Sequence, residues 1–162
     1  KLYQAAVATA VALQDAGIPF EMTNFADYVQ QIVPFNSPAR GPDLYHRIAA
    51  ETFTAVGNTA TAAALMSGAL SLLAREEEHK LQFVMTDGIP DSVIAAQQVG
   101  DEARRRGVAT IGIVFAPEKN LKAETADAMF GRGNWFRITS LEELPQLAAE
   151  TIKRVIREGE RR

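Results

Sequence analysis

The chain contains no cysteine. Disulfides, thiolate metal sites and cysteine nucleophiles are excluded, and the composition fits a reducing compartment, so a cytoplasmic location is expected. Histidine is scarce as well: His46 falls on a short helical stretch and His79 in a charged linker. No serine or carboxylate stands at triad spacing from either, and both are read as structural or solvated. A large excess of one charge is also missing. Seventeen basic residues face twenty acidic ones, for a net charge of −3, which offers no basic stripe for nucleic acid. No apolar run approaches the roughly twenty residues of a membrane-spanning helix. The longest, Val108 to Ala116 (VATIGIVFA), has the pattern of a buried strand, and no membrane partner is expected. Nor is there a phosphate loop. Gly131-Arg132-Gly133 follows a helix and precedes a strand, whereas a dinucleotide fingerprint follows a strand and opens a helix.

What is present is enough for one core. The 162 residues are 47% apolar and 23% charged, ordinary usage for a single domain. Leu2, Ala5, Ala6, Thr9, Ala12 and Leu13 recur at helical spacing, and Gly17 stops that run. Ile18 to Phe25 and Tyr28 to Phe35 alternate around a short Ala26-Asp27 turn, predicting a hairpin whose second strand, ending near Pro34, lies at an edge. A short helix is expected over Asp43 to Phe53, and an alanine- and leucine-rich one from Thr59 to about Glu78. Then follow a strand at Leu81 to Met85, a helix at Asp91 to Arg106, and a strand at Val108 to Phe115. A short helix near Ala123 to Met129 and a strand at Asn134 to Ile138 come next. The last helix opens after Ser140, where Ser140-Leu141-Glu142-Glu143 has the capping-box spacing. Strands alternating with helices predict an α/β fold, three-layered and Rossmann-like, with a mostly parallel central sheet, an antiparallel edge hairpin and helices on both faces. Because a helix opens the chain, right-handed crossover logic expects a strand ahead of Lys1. The expected organisation is one domain over 1–158 without that first strand, and a frayed tail at 159–162.

Ligands of open parallel sheets lie beyond the carboxyl ends of the strands. Asp87 ends the strand before it, and Thr59 stands at the start of the long helix, on the same edge. A carboxylate and a hydroxyl are hard oxygen donors suited to Mg2+ or Mn2+, but an octahedral ion takes about six oxygens, and two side chains supply only part of them. Plainer roles compete. Thr59 suits a helix N-cap, Asp87 before Gly88 suits an Asx-turn, and Asp91 is expected to cap the following helix rather than bind a ligand. The Arg104 to Arg106 run suits the negative end of a helix dipole, and Trp135 beside Phe136 suits core or edge packing.

Several stretches together carry a family resemblance. Asn24-Phe25-Ala26-Asp27 leading to Val33-Pro34-Phe35, then Gly57-Asn58-Thr59 before an alanine-rich helix, resemble successive pieces of von Willebrand factor A domains. So do Phe83-Val84-Met85-Thr86-Asp87-Gly88, the strand Thr110-Ile111-Gly112-Ile113, and Ser140-Leu141-Glu142-Glu143-Leu144. The likeness runs over essentially the whole chain. It implies a metal-ion-dependent adhesion site in which Thr59 donates its hydroxyl to Mg2+ or Mn2+ and Asp87 binds directly or through water. Asn58, Gly88 and Asp91 would form the partner-binding rim. The family's first loop, Asp-x-Ser-x-Ser, supplies most of the other ligands and does not occur in these residues, so Mg2+ or Mn2+ is expected if such a loop precedes Lys1; Asn58 stands where many members have glycine. The stretch Arg75 to Lys80 (REEEHK) and Thr86-Asp87-Gly88-Ile89-Pro90-Asp91 are similar to bacterial and phage members, among them the interaction subunit of cobalt chelatase and proteins that work beside MoxR-type AAA+ ATPases.

The function expected is therefore a non-catalytic, metal-dependent protein-binding module whose ion keeps a position for a partner's carboxylate. A structural module with a degenerate metal site is the nearest alternative. A Mg2+-dependent hydrolase stands further off, since no candidate base, nucleophile or phosphate cradle is found.

Overall fold

The structure is a computed structural model and describes residues 2–52 and 59–159. The expected turn at Val56-Gly57-Asn58, and with it Asn58 as a rim residue, lies outside the described residues, as do Phe53 and residues 160–162 of the expected tail.

The first helix, α1 (Leu2–Asp15), ends at Gly17, whose φ of 67° is readily reached only without a β-carbon. There the Gly17 amide donates to the Gln14 carbonyl and the Ile18 amide to the Leu13 carbonyl, the paired bonds of a Schellman ending. Strands β1 (Met22–Phe25) and β2 (Val29–Val33) follow as an antiparallel hairpin, shorter than the alternating pattern suggests. Next come α2 (Gly41–Thr52) and α3 (Thr61–Leu73). The latter stops before the charged stretch and does not reach Glu78: Ala74 caps it, and Arg75 turns away to stack over the Phe35 ring and pair with Glu77.

The parallel sheet consists of β3 (Lys80–Thr86), β4 (Val108–Val114) and β5 (Trp135–Arg137), in that order, with α4 (Val93–Arg105) and α5 (Ala123–Phe130) as crossovers. A 3-10 turn over Leu141–Glu143 leads into α6 (Leu144–Gly159). The capping box forms there as expected. The Glu143 carboxylate accepts from the Ser140 and Thr139 amides, and the Ser140 hydroxyl accepts from the Glu142 amide.

Side chains alternate across the parallel sheet and assign its two faces. Val84 and Val114 face α3, α4 and α5, where they meet Leu65, Ala96, Ala126 and Phe130. Phe83, Met85 and Ile113 face the other way, toward Ala5 of α1 and Leu144 and Leu147 of α6. Helices therefore cover both faces, the three-layer α/β arrangement that the alternation of elements predicts. Strand β4 is the buried centre, with Val108, Thr110, Ile111, Ile113 and Val114 nearly inaccessible.

Among the described residues the hairpin forms a two-stranded sheet of its own, with no ladder to β3. Two helices connect the sheets. On one side α1 buries Ala10 with Ile32, Val33, Leu44 and Ile48 while its Ala5 packs over the parallel sheet. On the other side α3 packs on both sheets, and Phe25 of β1 reaches the cluster that holds Leu65 and Val84.

Candidate functional site

The carboxyl ends of the parallel strands open onto the loop between β3 and α4. The buried Thr86 hydroxyl shapes its first turn by accepting from the Gly88 amide at 3.2 Å. This is the work an Asx-turn of Asp87 would have done. The Asp87 side chain is instead exposed, and no hydrogen bond or ion pair holds it among the described residues. An exposed carboxylate at a strand end keeps all its oxygen lone pairs for something else.

Thr59 meets this loop from the other side. It does not cap α3, contrary to expectation: the helix begins at Thr61 with Ala60 in the cap position and no side-chain capping bond. The reason is local. Ala60 has φ −70° and ψ 57°, and the Thr61 amide donates to the Thr59 carbonyl at 2.7 Å, an inverse γ-turn. That turn swings Thr59 off the helix axis before the helix begins. The same Thr59 carbonyl accepts from the Asp91 amide at 3.0 Å, which pins the two loops together. A β-carbon placed on Gly88 would stand 3.4 Å from the Thr59 hydroxyl oxygen, so glycine lets that hydroxyl lie against the loop that carries Asp87. A third strand end joins them, because the Ala60 amide donates to the Ala26 carbonyl at the hairpin tip, 2.8 Å away.

Asp91 stands one residue short of the cap expected of it. Ser92 caps α4, its hydroxyl accepting from the Ala95 amide at 3.2 Å, while the exposed Asp91 carboxylate accepts from the Ser92 amide at 2.9 Å. Aspartate and serine are both good caps and are neighbours here, so composition alone does not order them. The contribution of the Thr59 carbonyl as the clamp between loops had no signal in the sequence at all.

Other singled-out residues have plain roles. His46 and His79 are exposed. Arg104 and Arg105 close α4, paired with Asp101 and Glu102, where cations oppose the helix dipole. Trp135 donates from its indole to Asp127 at 2.8 Å, on the rim of the α5 core.

The structure thus brings Thr59, Asp87, Gly88 and Asp91 onto one edge. Their donors are hard oxygens, the right kind for Mg2+ or Mn2+. They are few: among the described residues no three acidic or histidine side chains converge. No described helix is long and apolar enough to cross a membrane.

Comparison with known proteins agrees with this fold. Residues 3–150 match the family model of the von Willebrand factor type A domain. No curated protein sequence matches the chain significantly. Among solved structures, proximal thread matrix protein 1 from the mussel byssus is similar in fold, with a TM-score of 0.70 and 19% identity over 94% of this chain. A second structure of that protein, with a zinc-occupied MIDAS motif (the metal-ion-dependent adhesion site), has a TM-score of 0.70 and 21% identity over 93% of this chain. In both cases the chain spans only 40% of the mussel protein's length. The chain belongs to the von Willebrand factor type A domain family.

Proposed function

We propose that this chain is a non-catalytic protein-interaction module whose carboxyl edge holds a divalent cation and, through it, a carboxylate of a partner protein. The observation that carries this reading is the pinning of Thr59 against the loop of Asp87, whose carboxylate is exposed and unengaged. In this reading the Thr59 hydroxyl and the Asp87 carboxylate hold the ion, which supplies the positive charge for the partner's acid. Mg2+ or Mn2+ suits these oxygens, and the zinc-occupied motif of the mussel protein makes Zn2+ a useful comparison. The likeness of Arg75 to Lys80 and of Thr86 to Asp91 to bacterial members supports a cytoplasmic role, recruiting a partner to a MoxR-type AAA+ ATPase or a metal chelatase.

Thermal unfolding with saturating Mg2+, Mn2+ or Zn2+ and with EDTA tests the ion. A cation bound only to the native state stabilises it by mass action, by about 2.7 kcal/mol at a hundred times its dissociation constant. The melting temperature should rise with at least one of these ions in the parent chain and not in Asp87→Ala. The small number of converging donors favours a second reading, a structural module with a degenerate metal site. Equal melting temperatures in all four conditions would establish that one instead.

A further inference from the structure

Strand β5 is shorter than its neighbour: it pairs with β4 only from Gly112 onward, although β4 begins at Val108. The Gly112 amide donates to the Asn134 carbonyl, and backbone groups of a parallel strand point to the same side at every second residue. Thr110 therefore turns its amide and carbonyl toward β5, where among the described residues no strand residue stands opposite. The missing length leaves a cleft of about 390 Å3 at the amino end of the sheet, the end remote from Asp87. Thr110 and Asn134 line it, with Arg104 of α4 and Arg154 of α6.

Two polar groups of these residues are left without partners. The Thr110 hydroxyl, on a residue only 1% exposed, has no hydrogen-bond partner, and neither has Nη2 of Arg154. Buried polar atoms are nearly always satisfied, and a buried cation without a counter-charge is costlier still. Arg104 is already engaged, by the Phe130 carbonyl at 2.9 Å and by Asp101. Arg154 donates to the Gly133 carbonyl at 2.8 Å, and no carboxylate among the described residues pairs with it. That holds even for Glu78 and Glu158, which line the same cleft but are exposed.

We propose that this cleft binds a small organic oxyanion, a carboxylate or a phosphate monoester, through the Arg154 guanidinium and the Thr110 hydroxyl. Both groups can donate, and an oxyanion accepts from two donors at once. A guanidinium presents its nitrogens as a fork that suits two oxygens of one carboxylate or phosphate. Water would satisfy the hydroxyl but would leave the charge on Arg154 uncompensated. Nη2 lies just under the surface, so contact takes a rotation at the end of the Arg154 side chain, which a single hydrogen bond to Gly133 holds. A water's share of liquid is about 30 Å3, so a bare ion fills little of the cleft and room remains for the organic part of the ligand. The bound anion would bridge α6 to β4.

Inorganic phosphate and acetate are the probes, each titrated into the full chain in EDTA, with ionic strength held constant by sodium chloride. Saturable shifts of the Thr110 and Asn134 amide resonances and of the Arg154 Nε–H resonance are expected. Arg154→Met keeps the reach of the side chain without its charge and should abolish them. Thr110→Val keeps the shape and should weaken binding about two- to tenfold, the loss of one hydrogen bond. Arg132→Met, at an exposed arginine outside the cleft, and Asp87→Ala should both bind as the parent does. Tighter binding of acetate would assign a carboxylate ligand, and tighter binding of phosphate a monoester. Shifts that chloride reproduces, or that persist in Arg154→Met, would overturn the proposal, as would the absence of any saturable shift. Because EDTA removes the cation throughout, these outcomes leave the metal-dependent reading to its own test.

Discussion

At the scale of single residues, Gly112 carries the sharpest steric demand. It lies mid-strand in β4, where a β-carbon would stand 2.3 Å from Cδ2 of the fully buried Phe130 ring. Gly112→Ala should cost about 1–3 kcal/mol through overpacking. Phe130→Leu should be less damaging on that background than alone, a coupling that urea midpoints of the four chains would measure. Glu143 predicts a pH effect. The Ser140 and Thr139 amides hold its carboxyl below the usual carboxylate value. A lowered folded-state value contributes stability that is present above the unfolded-state pKa of about 4.3 and is lost as pH falls through the folded one. Glu143→Gln keeps an acceptor without the charge and should flatten part of the acid limb of a stability–pH curve. The rest persists, since Arg105 lowers Glu102 and Arg75 lowers Glu77 in the same direction. Identical acid limbs for the parent and Glu143→Gln would refute the assignment. Reading single residues from sequence worked where one side chain had one job. Glu143 was legible because its spacing from Ser140 is diagnostic, whereas Thr59 was misplaced because the turn at Ala60 depends on bonds to Ala26 and Asp91, distant in sequence.

At the scale of elements, periodicity and punctuation located the six α-helices and five strands of the described residues, but their ends moved. The parallel strands were the clearest, because Val108 to Val114 is apolar but for Thr110, and buried but for the half-buried Ala109. The hairpin strands came out shorter: Ile18 closes the Schellman ending of α1, and the polar Asn24, Gln30 and Gln31 give them little apolar surface to bury. The α3 forecast ran too long, since glutamate and alanine favour helix locally while the Arg75 pairing and the start of β3 at Lys80 claim those residues. Capping gives the test at this scale. Ser92→Ala removes the side-chain acceptor from the start of α4 and should cost about 1 kcal/mol. Asp91→Ala should cost less, because its carboxylate bonds only the Ser92 amide, outside the helix. Urea denaturation of the two variants orders them, and the reverse order would return the cap to Asp91.

At the scale of the whole molecule, the site depends on loops from separate sheets. Asp87 belongs to the parallel sheet, while Thr59 is tied through Ala60 to the hairpin tip at Ala26. The pattern of strands and helices made the fold class legible, but the division between the sheets was not, because a hairpin's sequence does not state which strand it will lie beside. Among the described residues, strands β3, β4 and β5 share backbone ladders, while β1 and β2 share one only with each other. Amides of the hairpin should therefore exchange with deuterium well before those of β4, at a free energy below that of global unfolding. A ligand held as proposed by Thr59 and Asp87 would touch loops from both units, and should slow hairpin exchange more than it slows exchange in β4. The divided sheet also bears on heat. Among the described residues, packing on α1 and α3 and the loop bonds of Ala26 with Ala60 and of Thr59 with Asp91 are what make hairpin and parallel sheet melt together. In a calorimeter the van't Hoff enthalpy of this 162-residue chain should therefore fall below the heat actually absorbed, the mark of a chain that comes apart in more than one step.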